Sequence, residues 1–308
     1  MDTKKALLIA RYGARYSVRG GVGLVFLLLS LTFGLMVAHL TLQPVELLSK
    51  QVQERMQDEP PEKVTERVLE RLTDEARRPV AWLLSERTAA EATPEQDRRA
   101  NAWAEYLLKD RPAMLSAIFL ILLFGWPFLV SFGAFDLFAG DIGSRQLRYQ
   151  LLRADRASIY FGRLIGTTVT FVLVLTLLGA TVAVYMAAKL PLYALTDVLA
   201  WTVYGVLALT VVTLPYLALC AWISASVSGA FTSLTVVSLV VGGVPLVAMF
   251  GRMSHEAAGY VNFLLPWGFQ TRLFHYEPTQ VALAGAGCAL QTVLYTWLGY
   301  RKFTRRDL

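Results

Sequence analysis

The sequence predicts an all-α integral membrane protein with six transmembrane helices, an amphipathic N-terminal helix and a small helical extracytoplasmic domain. Three observations lead to this fold class. Of the 308 residues, 55% are hydrophobic and only 17% are charged, whereas about a quarter of the residues in a soluble domain carry charge. The charges are also clustered: 27 of the 52 acidic and basic residues fall between Pro44 and Arg111. The remainder contains long uncharged apolar runs, which indicates two solvents, lipid and water.

Six apolar runs are long enough to cross a bilayer, which takes about 20 residues. None of them contains Asp, Glu, Lys or Arg, as expected when a charge at mid-membrane costs about 3 kcal/mol. The first run has 21 residues and no small-residue cleavage motif after it, which favours an uncleaved helix over a signal peptide. The runs are Val22–Leu42, Ala113–Phe135, Leu164–Ala188, Val198–Ile223, Phe231–Phe250 and Val281–Tyr300.

The distribution of Lys and Arg predicts the orientation of the chain, because basic residues near spans stay in the cytoplasm. The N-terminal segment, the loop after the second span and the C-terminal tail together carry 14 Lys and Arg. The short loops on the opposite side carry only Lys189, Arg252 and Arg272. We therefore expect a multi-pass protein of the inner (plasma) membrane with both termini cytoplasmic and residues 44–112 extracytoplasmic.

These spans divide the chain into nine segments. Three are expected in the cytoplasm: an interfacial helix at 1–20, a loop at 136–163 and a tail at 301–308. Two are expected outside the cell: a helical domain at 44–112 and short helices at 251–280. The spans themselves fill 21–43, 113–135, 164–250 and 281–300.

The N-terminal residues 3–19 have the pattern of an amphipathic helix. Leu8, Tyr12 and Tyr16 recur every four residues, and Arg11 and Arg15 form a neighbouring basic stripe. This combination suits the headgroup layer of a membrane. The alternative is a basic tail that only sets the topology.

The 44–112 segment predicts three helices. The first helix continues the apolar stripe of the first span, and the second helix begins near Val64. A Thr93-Pro94-Glu95-Gln96 capping box opens the third helix, which has Trp103 and Leu107 on one face. A solvated charged face is the simpler interpretation of its many charges. The domain is small, so an extracytoplasmic partner protein could complete its core.

The loop at 136–163 is basic and contains Leu147, Leu151 and Ala154 at helical spacing. One interpretation is a loop that only sets topology. The other is a docking helix for a cytoplasmic partner.

At four places in this loop, namely Asp141, Gln146–Leu152, Arg156 and Ile159–Arg163, the sequence resembles the permease subunits of type-2 ABC transporters. Those permeases carry an acidic residue, a Thr-Leu-x-x-Leu-Leu helix, an Arg-containing turn and an Ile-x-x-Gly-Lys start to the third span. Asp141 stands at the acidic position, and Gln146–Leu152 resembles the helix. Arg156 and Ile159–Arg163 resemble the turn and the span start. The sequence departs from the pattern with Arg145 and Gln146 in place of Gly-Thr and Arg153 in place of proline.

The resemblance implies a permease of the branch with a large extracytoplasmic insert between the first two spans, and an N-terminal elbow helix. It implies an exporter driven by separate cytoplasmic ATPase subunits, which bind ATP and Mg²⁺, and a second permease copy in a homodimer. The chain itself has no Gly-Lys-Ser or Gly-Lys-Thr and therefore no P-loop for ATP. We expect that it is not an enzyme and that it binds no cofactor. The residues implied to couple to the ATPase are Asp141, Arg145, Leu147, Arg148, Leu151 and Arg156.

Other function classes fit less well. The basic residues flank apolar runs, which argues against nucleic acid, and Cys220 and Cys288 have no metal-ligand spacing. An ion-coupled carrier places carboxylates or histidines at membrane depth, but only His39 lies within a span, near its end. A non-transporting scaffold whose extracytoplasmic domain binds a partner protein stays open. The uncharged spans favour an amphiphilic or lipid-like cargo.

Overall fold

The computed structural model describes residues 2–19, 21–55, 60–84, 94–252 and 256–306, and it is 89% helical. Two 3₁₀ segments, Glu256–Leu264 and Thr271–Phe274, lie on either side of the short helix Trp267–Gln270. The α-helices are α1 (Thr3–Arg19), α2 (Gly21–Arg55), α3 (Pro61–Leu84), α4 (Pro94–Leu108), α5 (Ala113–Ala134), α6 (Ala139–Gly143), α7 (Leu147–Leu151), α8 (Arg156–Lys189), α9 (Leu195–Ser226), α10 (Ala230–Arg252), α11 (Trp267–Gln270) and α12 (Pro278–Arg305).

The described residues include six helices long and apolar enough to cross a membrane, which confirms the all-α integral membrane fold class. They are α2, α5, α8, α9, α10 and α12. Several are longer than the uncharged runs. The 35 residues of α2 extend about 52 Å at the usual rise of about 1.5 Å per residue. Since the hydrocarbon layer is about 30 Å thick, α2 must project well beyond it.

The helices α5 and α9 form the centre of the bundle. In the most apolar 18-residue stretch of each of these two helices, 72% and 67% of the residues are buried. In the corresponding stretches of α2, α10 and α12, 28% or fewer are buried. The indole Nε1 of Trp126 donates to Thr213 Oγ1 at 2.7 Å, which joins α5 to α9 between fully or nearly fully buried side chains. The peripheral spans expose large apolar side chains such as Leu28, Leu239 and Leu290. Lipid tails cover such surfaces without cost.

The 44–112 segment contains the three helical pieces that its pattern predicts. The end of α2 continues to Arg55, and α3 and α4 follow. Val64, Trp103 and Leu107 are buried, while Thr93 of the expected capping box lies outside the described residues. The Trp103 Nε1 donates to the Phe274 carbonyl at 2.8 Å. This helical layer is therefore fixed to the end of the bundle.

The 251–280 segment forms short helical turns, as its composition predicts. Hydrogen bonds from side chains to backbone carbonyls join these turns to the spans. The Gln291 Nε2 donates to the Phe263 carbonyl at 2.8 Å, and the Trp267 Nε1 donates to the Val241 carbonyl at 3.1 Å. These turns close the same end of the bundle as α4, because Phe274 receives the bond from Trp103.

Candidate functional site

The connection between α5 and α8 contains two short helices where the sequence predicts one. The chain forms α6, turns at Ser144–Gln146 and forms α7. Arg145 has a φ of 59°, a left-handed conformation that interrupts helical hydrogen bonding and that non-glycine residues adopt at a cost. The docking helix expected from Leu147, Leu151 and Ala154 is corrected on this point: α7 ends at Leu151, and the turn at Ser144–Gln146 separates it from α6.

Arg163 at the start of α8 holds both short helices in place. Its Nη2 pairs with Asp141 of α6 and donates to Gln150 Oε1 of α7 at 2.9 Å. Its Nη1 donates to the Leu137 carbonyl at 2.8 Å. The guanidinium carbon also lies 5.6 Å from the ring centroid of Phe138. One largely buried side chain thus fixes α6 and α7 to a transmembrane helix.

A buried aromatic cluster lies between these short helices and the spans. Phe138 and Tyr160 stack with centroids 5.2 Å apart, and Phe303 packs against both rings. Leu147 belongs to the same cluster and is only 1% exposed. The backbone N–H groups of residues 138 and 139 donate to Ser224 Oγ at 2.8 and 2.9 Å. The inward face of α7 is therefore part of the protein core.

The C-terminal tail is tied to the same cluster by two arginines. Arg156 Nη1 donates to the carbonyls of Phe303, Thr304 and Arg306, at 3.3, 2.6 and 2.8 Å. Arg306 Nη1 donates to the carbonyls of Ala225 and Val227, both at 2.9 Å. Arg156 therefore caps the end of α12, a role that the sequence did not suggest. The role of Arg306 was missed as well, because its partners lie about 80 positions away.

The N-terminal helix packs along the beginning of α8. Ala6 and Ala10 are buried against Gly162 and Gly166, where an added Cβ would meet the Ala6 carbonyl oxygen at 2.8 Å and the Ala10 carbonyl oxygen at 2.7 Å. Such small residues allow two helix backbones to approach closely. The predicted helix over residues 3–19 is confirmed.

The outer face of α1 carries the residues expected at a membrane interface. Leu8 and Tyr12 are 59% and 64% exposed, and Arg11 is exposed as well. The side chains of Arg15 and Tyr16 lie outside the described residues. Helix α1 thus presents an apolar and basic surface away from α8.

A hydrogen-bond network joins the start of α1 to the start of α8. The Asp2 N–H donates to Ser158 Oγ at 3.1 Å, and the Ser158 hydroxyl donates to Asp155 Oδ1 at 2.5 Å. This bond lowers the pKa of the Asp155 carboxyl. Asp155 also accepts from the Ser158 N–H as the N-cap of α8. The N-cap therefore stays ionised and fixes the chain entry to α8.

Five exposed side chains of this connection form what we call the docking tip: Arg145, Arg148, Tyr149, Leu152 and Arg153. Tyr149 is 74% exposed and Leu152 is 84% exposed. Among the described residues no carboxylate pairs with any of the three arginines. The docking tip is therefore a positive surface with two large exposed apolar groups.

The predicted coupling residues separate into two groups. Arg145 and Arg148 lie in the docking tip, and Leu151 is half-buried beneath it. Asp141, Leu147 and Arg156 instead face other parts of the chain. Tyr149 and Leu152 were missed, although their spacing places them on the helix face opposite Leu147.

Comparisons with known proteins add no further constraint. No protein-family model matches the chain, and no curated protein matches it. The functional interpretation depends on the geometry of this connection and on its sequence resemblance.

Replacing Arg163 by Met tests how far one side chain holds the docking tip. The variant leaves Asp141 without its partner and removes the bonds to Leu137 and Gln150, so we expect the free energy of unfolding to fall by about 2 kcal/mol. Unfolding in mixed detergent micelles measures it. Arg153→Met is the matched control, because Arg153 is exposed, and it should change stability by less than about 0.5 kcal/mol. Equal effects from the two variants would show that the Arg163 contacts stabilise nothing.

Proposed function

We propose that this chain is the permease subunit of an ATP-driven ABC exporter and that a separate cytoplasmic ATPase binds its docking tip. The observation that carries this proposal is an exposed, positively charged tip held by a largely buried arginine and a buried aromatic cluster. A loop that only sets topology needs positive charge but no such anchoring. A surface that transmits force needs both.

The backbone at Arg145 supports the resemblance to type-2 permeases. Arg145 stands where those permeases carry glycine, and its φ of 59° is the conformation that glycine adopts without penalty. The local turn thus fits the family pattern even though the residue departs from it.

The contacts of the docking tip suggest a path for the mechanical coupling. A push on α7 would reach α8 through Arg163, which also holds α6. The start of α6 in turn contacts α9 through Ser224 and α12 through Phe303. Since packed clusters move as units, closure of an ATPase dimer would shift these spans as a rigid body. The partner would bind the ATP and Mg²⁺, and this chain would supply only the membrane helices that move.

Helix α1 and the C-terminal tail lie at the same end of the bundle as the docking tip. The three basic segments therefore lie together, in agreement with a common cytoplasmic side. On this proposal, residues 44–112 are extracytoplasmic in the inner (plasma) membrane. A second copy of the permease completes a homodimer, and an amphiphilic molecule is the cargo.

Leu152→Asp tests the ATPase partnership. The change places a charge on an exposed apolar contact, so we expect ATPase co-purification and permease-stimulated ATP hydrolysis to fall about tenfold or more. Leu83→Asp on α3 is the matched control, because Leu83 is also exposed but lies in the 44–112 segment. It should leave both measurements unchanged.

A scaffold function is the second candidate, favoured by the exposed apolar side chains of Trp82 and Leu83 at the end of α3. In that case no ATPase would co-purify with the parent protein. The Leu83→Asp variant, and not Leu152→Asp, would then lose a bound partner protein. This pattern would overturn the permease proposal.

A further inference from the structure

A groove of about 600 Å³ lies between α3 and α4, away from the docking tip. Its volume is within the range of small-molecule sites, about 300–1,000 Å³. Charged and polar side chains dominate its walls. The lining residues are Asp74, Arg77, Arg78, Arg98, Asn101, Ala102 and Glu105.

The two carboxylates of this groove are already neutralised by neighbouring cations. Arg77 Nη2 donates to Glu105 Oε2 at 3.0 Å. Lys109 Nζ lies 3.6 Å from Asp74 Oδ1 and 3.8 Å from Glu105 Oε1. One arginine and one lysine thus offset both negative charges, so neither carboxylate is left to attract a cation.

Two further guanidinium groups line the groove without an acid. Arg78 of α3 and Arg98 of α4 are both exposed, and among the described residues neither is paired with a carboxylate or donates a hydrogen bond. The Nδ2 of Asn101 is engaged with the Asp97 carbonyl at 2.8 Å. The groove therefore presents two unused guanidinium groups from opposite walls, and the set of side chains has a net positive charge.

We propose that this groove binds an anion that carries a phosphate group. Each guanidinium offers a planar pair of donors that matches two oxygens of an oxyanion. A carboxylate has only two oxygens and is satisfied by one guanidinium. A phosphate has enough oxygens to accept from arginines on both walls. The volume exceeds that of inorganic phosphate, so an organic phosphate or a phospholipid headgroup fits.

The test uses the full-length protein in phosphatidylcholine nanodiscs at a fixed salt concentration. Glycerol 3-phosphate and dihexanoyl phosphatidic acid are titrated separately by calorimetry. We expect Arg78→Gln combined with Arg98→Gln to weaken binding of the bound probe about tenfold or more. The matched control is Arg71→Gln combined with Arg99→Gln, which removes the same charge from the same two helices outside the groove.

The outcomes separate the sources of the phosphate. Binding of glycerol 3-phosphate identifies a soluble ligand, and binding of dihexanoyl phosphatidic acid alone identifies a lipid headgroup. Either supports the site when only the groove variant loses affinity. The proposal is overturned if neither probe binds or if both double variants weaken binding equally. The measurement involves no ATPase, so its result is independent of the proposed transport function.

Discussion

Leu147→Asp is expected to prevent the protein from folding to its native state. Leu147 is 1% exposed and belongs to the cluster of Phe138, Tyr160 and Phe303. Truncation of a buried leucine costs about 2–5 kcal/mol, and an unpaired carboxylate in the same place adds a desolvation penalty. We expect a loss of about 4 kcal/mol or more, measured by the yield of monodisperse protein after detergent extraction and by thermal unfolding.

Two further substitutions keep this prediction informative. Leu147→Ala should fold with a lowered melting temperature and retain the docking tip. Leu152→Asp introduces the same charge five positions later but on a side chain that is 84% exposed, so the yield and melting temperature should match those of the parent. A Leu147→Asp protein that is as stable as Leu152→Asp would contradict the buried position of α7.

The sequence predicted the six spanning helices and the short helical turns at 251–280 because those features depend on local pattern. Uncharged runs of 20 residues or more have one stable arrangement in lipid, and the helical stripe around Val64 led directly to α3. Helix α2 continues to Arg55, as the apolar stripe beyond the first span predicted, because these residues keep a helical pattern as they enter water.

The site was only partly predictable because its key contacts join distant residues. Arg163 pairs with Asp141 across 22 positions, and Arg156 caps a tail about 150 positions away. A linear pattern identified these residues as basic but could not show that they bind within the chain. The turn at Arg145 was missed for another reason: nothing in the local sequence marks an arginine for a left-handed conformation.

Gly166→Leu is expected to detach α1 from the bundle. The first atoms that a Cβ at position 166 would meet are backbone atoms of Ala10, with the carbonyl oxygen at 2.7 Å and the Cα at 3.1 Å. Backbone cannot rotate away as a flexible side chain can. Overpacking at such a contact costs about 1–3 kcal/mol, and a whole leucine side chain must displace the helix. Loss of α1 would also remove a surface that adjoins the docking tip.

Maleimide labelling of a cysteine at Ala6→Cys measures this detachment. Ala6 is 2% exposed, and the native Cys220 and Cys288 are buried, so the parent should label slowly. In the Gly166→Leu background we expect labelling about tenfold faster, because α1 must leave its contact with α8. Gly285→Leu is the control, since an added Cβ there meets nothing within 4 Å. Slow labelling in both the Gly166→Leu and the Gly285→Leu backgrounds would mean that α8 accommodates the leucine. Gly166 would then not be the residue that keeps α1 against α8.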